Sequence, residues 1–246
     1  MTPEVDPDPR APLAAIFVEA NEPDLPESCK TRGPEGTLKV LTKAGRLLAG
    51  GGDGEALDLL TRYADLIADS AEGQLFLAKA TLRAVQTPES ALPAALASVK
   101  RCDSAVANAV LGDVYRALEE LGKAKDAYLG ARAREIDFFK PLAKAVHIEL
   151  DTDKPGQAEL VLGDFLRSHP DHGYGHLLRG GYNAMKSDFA AAAADFEVTT
   201  AQSPNDPQGF MLLGDARTQL GELDAAKRAY CKAKALGLEA AVEICP

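Results

Sequence analysis

The chain has no tryptophan and is sparse in valine and isoleucine. A composition poor in these residues and rich in alanine and leucine favours helix over strand, because alanine loses no side-chain entropy in a helix and leucine loses little. Long apolar runs are also missing. None approaches the roughly 20 residues that span a bilayer, so no membrane span is expected. Bases are in deficit, 27 against 37 acids, with a formal net charge of -10 and a pI near 5.0. That balance excludes a nucleic-acid partner, which requires a concentrated basic surface, and opposes docking on anionic lipid. The start of the chain lacks the basic n-region of a signal peptide and is acidic and proline-rich instead. As given, the sequence reads as soluble, with prior removal of a signal left open.

Catalytic signatures are lacking too. There is no phosphate loop, dinucleotide fingerprint or nucleophile elbow, and the carboxylates are spread along solvated positions with no acid/base couple standing out. The chain is therefore expected not to be an enzyme and to need no cofactor. Cysteine is limited to Cys29, Cys102, Cys231 and Cys245, none in a CxxC pair. These residues are either free thiols in a cytosolic protein or two disulfides in an oxidising compartment.

Among the features present, the first segment stands apart. Residues 1–36 hold Pro3, Pro7, Pro9, Pro12, Pro23, Pro26 and Pro34, and acids outnumber bases there. Such a stretch is an irregular arm, with one exception. Leu13, Ile16, Phe17 and Ala20 fall at i, i+3, i+4 and i+7, one face of a short helix near 12–20 that Pro12 can open. That stripe requires a surface to bury against.

Beyond the arm the chain repeats itself. Residues 111–133, LGDVYRALEELGKAKDAYLGARA, align without a gap on residues 213–235, LGDARTQLGELDAAKRAYCKAKA. The offset is three times 34, the length of a helix–turn–helix repeat. The frame gives six units: 37–70, 71–104, 105–138, 139–172, 173–206 and 207–240. Phe210, Leu213, Gly214, Gly221, Ala226, Tyr230 and Ala233 in the last unit carry the signature. So do Gly180, Phe189, Ala192, Phe196 and Pro204 in the fifth, and Leu111, Gly112, Tyr115, Ala124, Tyr128 and Ala131 in the third. In these positions the chain resembles the tetratricopeptide repeat family. The fourth unit keeps Ala158, Leu162, Phe165 and Pro170, and the first keeps Ala44, Leu47, Ala56, Leu60 and Tyr63. In the second unit, Pro88 and Pro93 obscure the start of the second helix.

The resemblance implies an all-α, right-handed α-solenoid that folds by stacking neighbouring repeats. Mid-helix Gly112, Gly180 and Gly214 cost about 1 kcal/mol each against alanine, which is tolerable where a neighbour must come close. Gly237 can end the last repeat helix, leaving residues 238–246 as a C-terminal capping helix. The family uses a subset of first-helix positions as a concave groove. Carried onto this chain they are Leu38, Leu41, Leu75, Leu82, Asp113, Arg116, His147, Leu150, Tyr174, Leu177, Met185, Met211 and Asp215. The stripe Leu150, Tyr174, Leu177, Met185 and Met211, with His147 and Arg116 beside it, suits an apolar or amphipathic peptide. The bland alternative is that these side chains pack against one another or against the chain's own N-terminal arm. Members that clamp a C-terminal carboxylate use Asn and Lys. The matching places here hold Gly45, Lys79, Asp113, His147, Gly181 and Asp215, so no such clamp is expected.

One cluster resembles a metal site: His169, His172 and His176, spaced His–x2–His–x3–His. The repeat frame places the first two in an inter-repeat turn and the third at a core-packing position, which favours structure over ligation.

Stacking geometry also favours two disulfides, Cys231–Cys245 across the reversal at Gly237 and Cys29–Cys102 along one edge of the solenoid. The expected function is a protein-interaction scaffold or adaptor. Its partner would be a neutral or basic, partly apolar polypeptide, and its home the bacterial periplasm rather than the cytoplasm. A pilotin-like assembly factor for an outer-membrane secretin and a metal-handling module using the histidine turn are the alternatives.

Overall fold

The structure, a computed structural model, describes residues 23–85, 87–135, 138–152 and 155–238. The expected helix near 12–20, and the expected capping helix beyond Leu238 with Cys245 in it, lie outside the described residues.

The fold is all-α, a solenoid of helical hairpins, with thirteen α-helices and no strand among the described residues. They are α1 (Glu35–Ala49), α2 (Asp53–Arg62), the short α3 (Ala64–Ile67), α4 (Ala71–Ala84), α5 (Leu92–Arg101), α6 (Ala105–Ala117) and α7 (Leu121–Arg134). There follow α8 (Phe139–Asp151), α9 (Pro155–Ser168), α10 (Gly173–Met185), α11 (Phe189–Gln202), α12 (Pro207–Gln219) and α13 (Leu223–Ala235). From α4 onward the first helix of each hairpin opens 34 residues after the last, at Ala71, Ala105, Phe139, Gly173 and Pro207.

Local chemistry sets these starts. The residue just before a first helix caps it in four units: the Ser70 hydroxyl accepts from the Gly73 N–H and Ser104 from Ala107. His172 Nδ1 accepts from Gly175, and Asp206 from Gln208. Four caps of three chemistries thus satisfy otherwise orphaned amides at the same repeat position. At the fourth unit the place holds Phe138, which is buried.

The turn between the helices of a hairpin is equally regular. Gly51, Glu119, Ser187 and Gly221 all adopt positive φ, between 60° and 77°. This left-handed residue reverses the chain, freely for glycine and at a steric cost for Glu119 and Ser187. Pro88 lies in a 3-10 turn, Pro88–Ala91, and Pro93 falls in the first turn of α5, where a missing N–H costs nothing.

The chain forms two compact units, residues 20–148 and a second built on residues 149–238. In the first unit, Val40, Leu41, Ala44, Leu48, Ala56 and Leu60 form the core of the opening hairpin. Leu75, Ala78, Ala94 and Ala95 pack on Val106, Val110, Leu111 and Val114 of the third. In the second unit, Leu177, Ala192, Ala193 and Phe196 pack on Leu212, Leu213, Ala216 and Ala229. Alanine supplies much of each contact, which lets helices approach closely.

A strap, residues 23–34, runs along the first unit. Leu25 packs on the Leu75–Val106 cluster. Cys29 is buried and bonded to Cys102, the C-cap of α5, with Cα atoms 5.6 Å apart. The Thr31 N–H donates to Glu72 at 3.2 Å, and its hydroxyl meets the capping hydroxyl of Ser70.

Candidate binding surfaces

Each hairpin has a repeating interior that determines what remains outside. A Cβ at Gly112 would stand 2.5 Å from the Tyr128 ring, one at Gly214 2.5 Å from Tyr230, and one at Gly180 2.6 Å from Phe196. The second-helix aromatic therefore packs directly on the first-helix glycine. The residue after the glycine matches the ring it faces. Tyr128 donates its hydroxyl to Asp113 at 2.7 Å, and Tyr230 to Asp215 at 2.8 Å. Phe196 has no hydroxyl, and the corresponding residue is Gly181. Burial, and secondarily Asp113, raises the Tyr128 phenol pKa, while burial alone raises that of Tyr174.

This interior shows what two of the former clamp positions do. Asp113 holds Tyr128 and pairs with Lys144 of α8, whose ammonium also lies over the Tyr128 ring at 5.4 Å. Asp215 holds Tyr230. Both acids brace hairpins.

The expected groove residues do not form one group. In the first unit, Arg116 is exposed on α6 and His147 is half-buried on α8. In the second, Tyr174 is half-buried against the Leu177–Ala229 core, and Met211 is half-buried beside Ala226 and Tyr230. Met185 is 37% exposed, whereas Leu177 is only 1% exposed. Leu177 is thus core: its side of α10 is covered by α11 and α12. Leu150 lies in the last turn of α8, and its side chain is not among those described.

A cleft of about 480 Å³ lies between the first helices α1 and α4. Leu38, Leu41 and Phe76 give it an apolar floor, and Lys30, Arg46 and Glu72 border it. A Cβ at Gly45 would stand 3.4 Å from the Phe76 ring, so this aromatic packs directly on the glycine. Sequence reasoning placed Leu38 and Leu41 on the groove but missed the Gly45–Phe76 contact. The signal was a glycine on one first helix facing an aromatic on the next.

The three histidines are engaged in structure. His172 caps α10. His169 stacks on Phe165 with ring centroids 4.6 Å apart. His176 is buried, with Nδ1 2.8 Å from Asp195 and Nε2 2.7 Å from the Pro170 carbonyl oxygen. Asp195 is also buried and accepts from Arg179 at 2.6 and 3.0 Å and from Asn183 at 3.1 Å. This carboxylate, fully used by donors on α10, replaces the apolar contact that Leu213 and Ala229 make one repeat later. Among the described residues no group of three or more His, Cys, Asp or Glu side chains is placed to hold a metal. No described helix is long and apolar enough to cross a membrane.

The hairpin interior and the repeated caps define a class, the α-helical repeat scaffold. Residues 144–207 and 186–237 match the tetratricopeptide repeat family model, and that part of the chain is a run of tetratricopeptide repeats. No curated protein matches the chain by sequence. Solved structures match its fold. Pseudomonas aeruginosa PilF superposes with a TM-score of 0.65 at 14% identity, over 83% of this chain and 93% of that one. The type IV pilus biogenesis factor PilW gives 0.64 at 13%, over 82% and 94%. The C-terminal part of a repeat protein from Cytophaga hutchinsonii gives 0.66 at 13%, over 80% and 78%.

Proposed function

We propose that this protein is a non-enzymatic interaction scaffold. It binds a polypeptide segment along the exposed faces of its first helices and so helps assemble a larger complex. The observation that carries this reading is the uneven burial of those helices. Their inner faces are buried by neighbouring helices, while Leu38, Tyr174, Met185 and Met211 keep apolar surface outside. A stable fold does not require that exposure, and an adaptable thioether surface suits a partly apolar partner. With a net charge of -10, a neutral or basic partner is the long-range electrostatic match.

Variants on one helix test the reading. Met185→Asp should leave helicity and melting temperature nearly unchanged and weaken partner capture. Leu177→Asp, which buries a carboxylate in the core, should unfold the hairpin. Capture that survives Met185→Asp and Met211→Asp, each folded, would remove the first-helix face from consideration.

Fold likeness to PilF and PilW, together with the Cys29–Cys102 bond, supports a narrower reading: an extracytoplasmic assembly factor of the pilotin kind. Disulfides persist in oxidising compartments.

A further inference from the structure

We infer that the Cys29–Cys102 bond is a redox latch: intact, it holds residues 23–34 across the starts of α4 and α6, and its reduction frees that strap while the helices stay folded. Cys102 is the C-cap of α5 and lies in the turn that leads to Ser104, the cap of α6. The strap is thus fastened covalently at one point, on the edge where the second and third hairpins join.

Little else fastens it. Of residues 23–34 only Cys29 is buried, and Leu25 is half-buried on the Leu75–Val106 cluster. The hydrogen bonds that reach the start of α4 come from Thr31, its N–H to Glu72 and its hydroxyl with Ser70. Other polar contacts stay inside the strap. The Cys29 and Lys30 N–H groups donate to the Pro26 carbonyl oxygen at 2.7 and 3.2 Å, and Lys30 pairs with Glu27. Charge does not compensate. In the cleft of about 250 Å³ between the strap and the start of α6, Asp24 shares the lining with Asp103 and Glu135. Arg134, the base in that lining, is already paired with Asp103. Fixing the backbone of one residue costs about as much free energy as one hydrogen bond returns net. The Thr31 bonds and one half-buried leucine therefore fall short of ordering a strap of this length, and the covalent bond supplies the rest.

The helices do not depend on it in the same way. Ser70 and Ser104 cap α4 and α6 through their own hydroxyls, and the core of the opening hairpin contains no strap residue. Release takes Lys30 and Thr31 out of the lining of the α1–α4 cleft, and Pro23, Asp24 and Pro26 out of the lining beside α6. Both clefts therefore widen with the redox state of one bond.

The trigger is a dithiol reductant. Cys29 is buried and Cys102 only half-buried, so attack comes at Cys102. A thiolate of the reductant bonds to the Cys102 sulfur, the disulfide breaks, and its electron pair leaves on Cys29, which takes a proton. The second thiolate of the reductant then attacks the mixed disulfide and frees Cys102, which is protonated in turn. Two electrons and two protons pass to the cysteine pair, and the reductant leaves as a disulfide. In an oxidising compartment the latched form persists.

The test is hydrogen–deuterium exchange by mass spectrometry on the full chain, well below its melting temperature, before and after dithiothreitol. Reduction should speed exchange of the Cys29 and Lys30 amides by about tenfold or more, and that of α4 to α7 by less than about twofold. Glutathione disulfide should restore the slow exchange. Cys29→Ser with Cys102→Ser, which leaves the disulfide of Cys231 in place, should match the reduced protein without any reductant. Thr31→Val in oxidised protein should leave the Cys29 and Lys30 amides slow. A strap that stays slow once both thiols are counted free would show that non-covalent contacts suffice, and would overturn the latch. Exchange rising together in the strap and in α4 to α7 would make the bond a staple of the whole unit and overturn it too. A bond that dithiothreitol opens only in urea would do the same.

Discussion

Gly112 and Gly214 sit in mid-helix, where glycine ordinarily costs about 1 kcal/mol against alanine, and each is covered by a buried tyrosine ring. Substitution by alanine should therefore destabilise, by about 1–3 kcal/mol, because the new methyl would overlap a ring that cannot move. Gly163 in α9 has nothing within 4 Å of a Cβ, so Gly163→Ala should stabilise by about 0.5–1 kcal/mol. Urea denaturation of the three variants checks the sign. The repeat register already marked the first two as close approaches, but only the rings above them distinguish these glycines from Gly163. Tyr230 adds a pH dependence. Burial, with help from Asp215, pushes its phenol pKa up to about 12 from an ordinary 10.0. The fold thus favours the protonated form. The stability it contributes is complete below pH 10 and is lost as pH rises through 12. Alkaline melts of wild type and Tyr230→Phe should converge across that window, and parallel curves would contradict it.

Among the elements, the strap has the largest expected single effect. The Cys29–Cys102 bond closes a loop with a sequence separation of 73, which in the chain-entropy model stabilises the fold by about 4 kcal/mol. Cys29→Ser with Cys102→Ser should lower the melting temperature markedly. Thiol counting under denaturing, non-reducing conditions should find these two residues unreactive in oxidised protein, and two reactive thiols there would refute the bond. The helices themselves were largely legible: alanine and leucine content fixed the all-helical class, and the self-match from 111 to 213 fixed the period. The caps were less legible. Ser70, Ser104, His172 and Asp206 share a position but not a side chain, so the sequence put His172 in an inter-repeat turn without revealing that its Nδ1 accepts from Gly175. His176 was similar, since its Asp195 partner lies on the following helix, where no local spacing rule connects them.

For the whole molecule, repetition makes most contacts local, between a hairpin and its neighbour, and local patterns can be read from sequence. The 34-residue period and the helical class follow from residue order and composition alone. Which apolar side chains face outward does not. Leu177 and Met185 occupy the same helix and both looked suited to a groove, yet one is 1% exposed and the other 37%. The difference arises from α11 and α12, which cover one side of α10 and leave the other bare. The α1–α4 cleft is likewise a product of tertiary structure, because its lining joins residues of the strap, α1 and α4 that are far apart in the chain. Sequence by itself determined the repeat and its helices, since those depend on interactions a few residues apart. Packing decided core against surface, because burial is set by neighbours that a segment's own sequence does not contain.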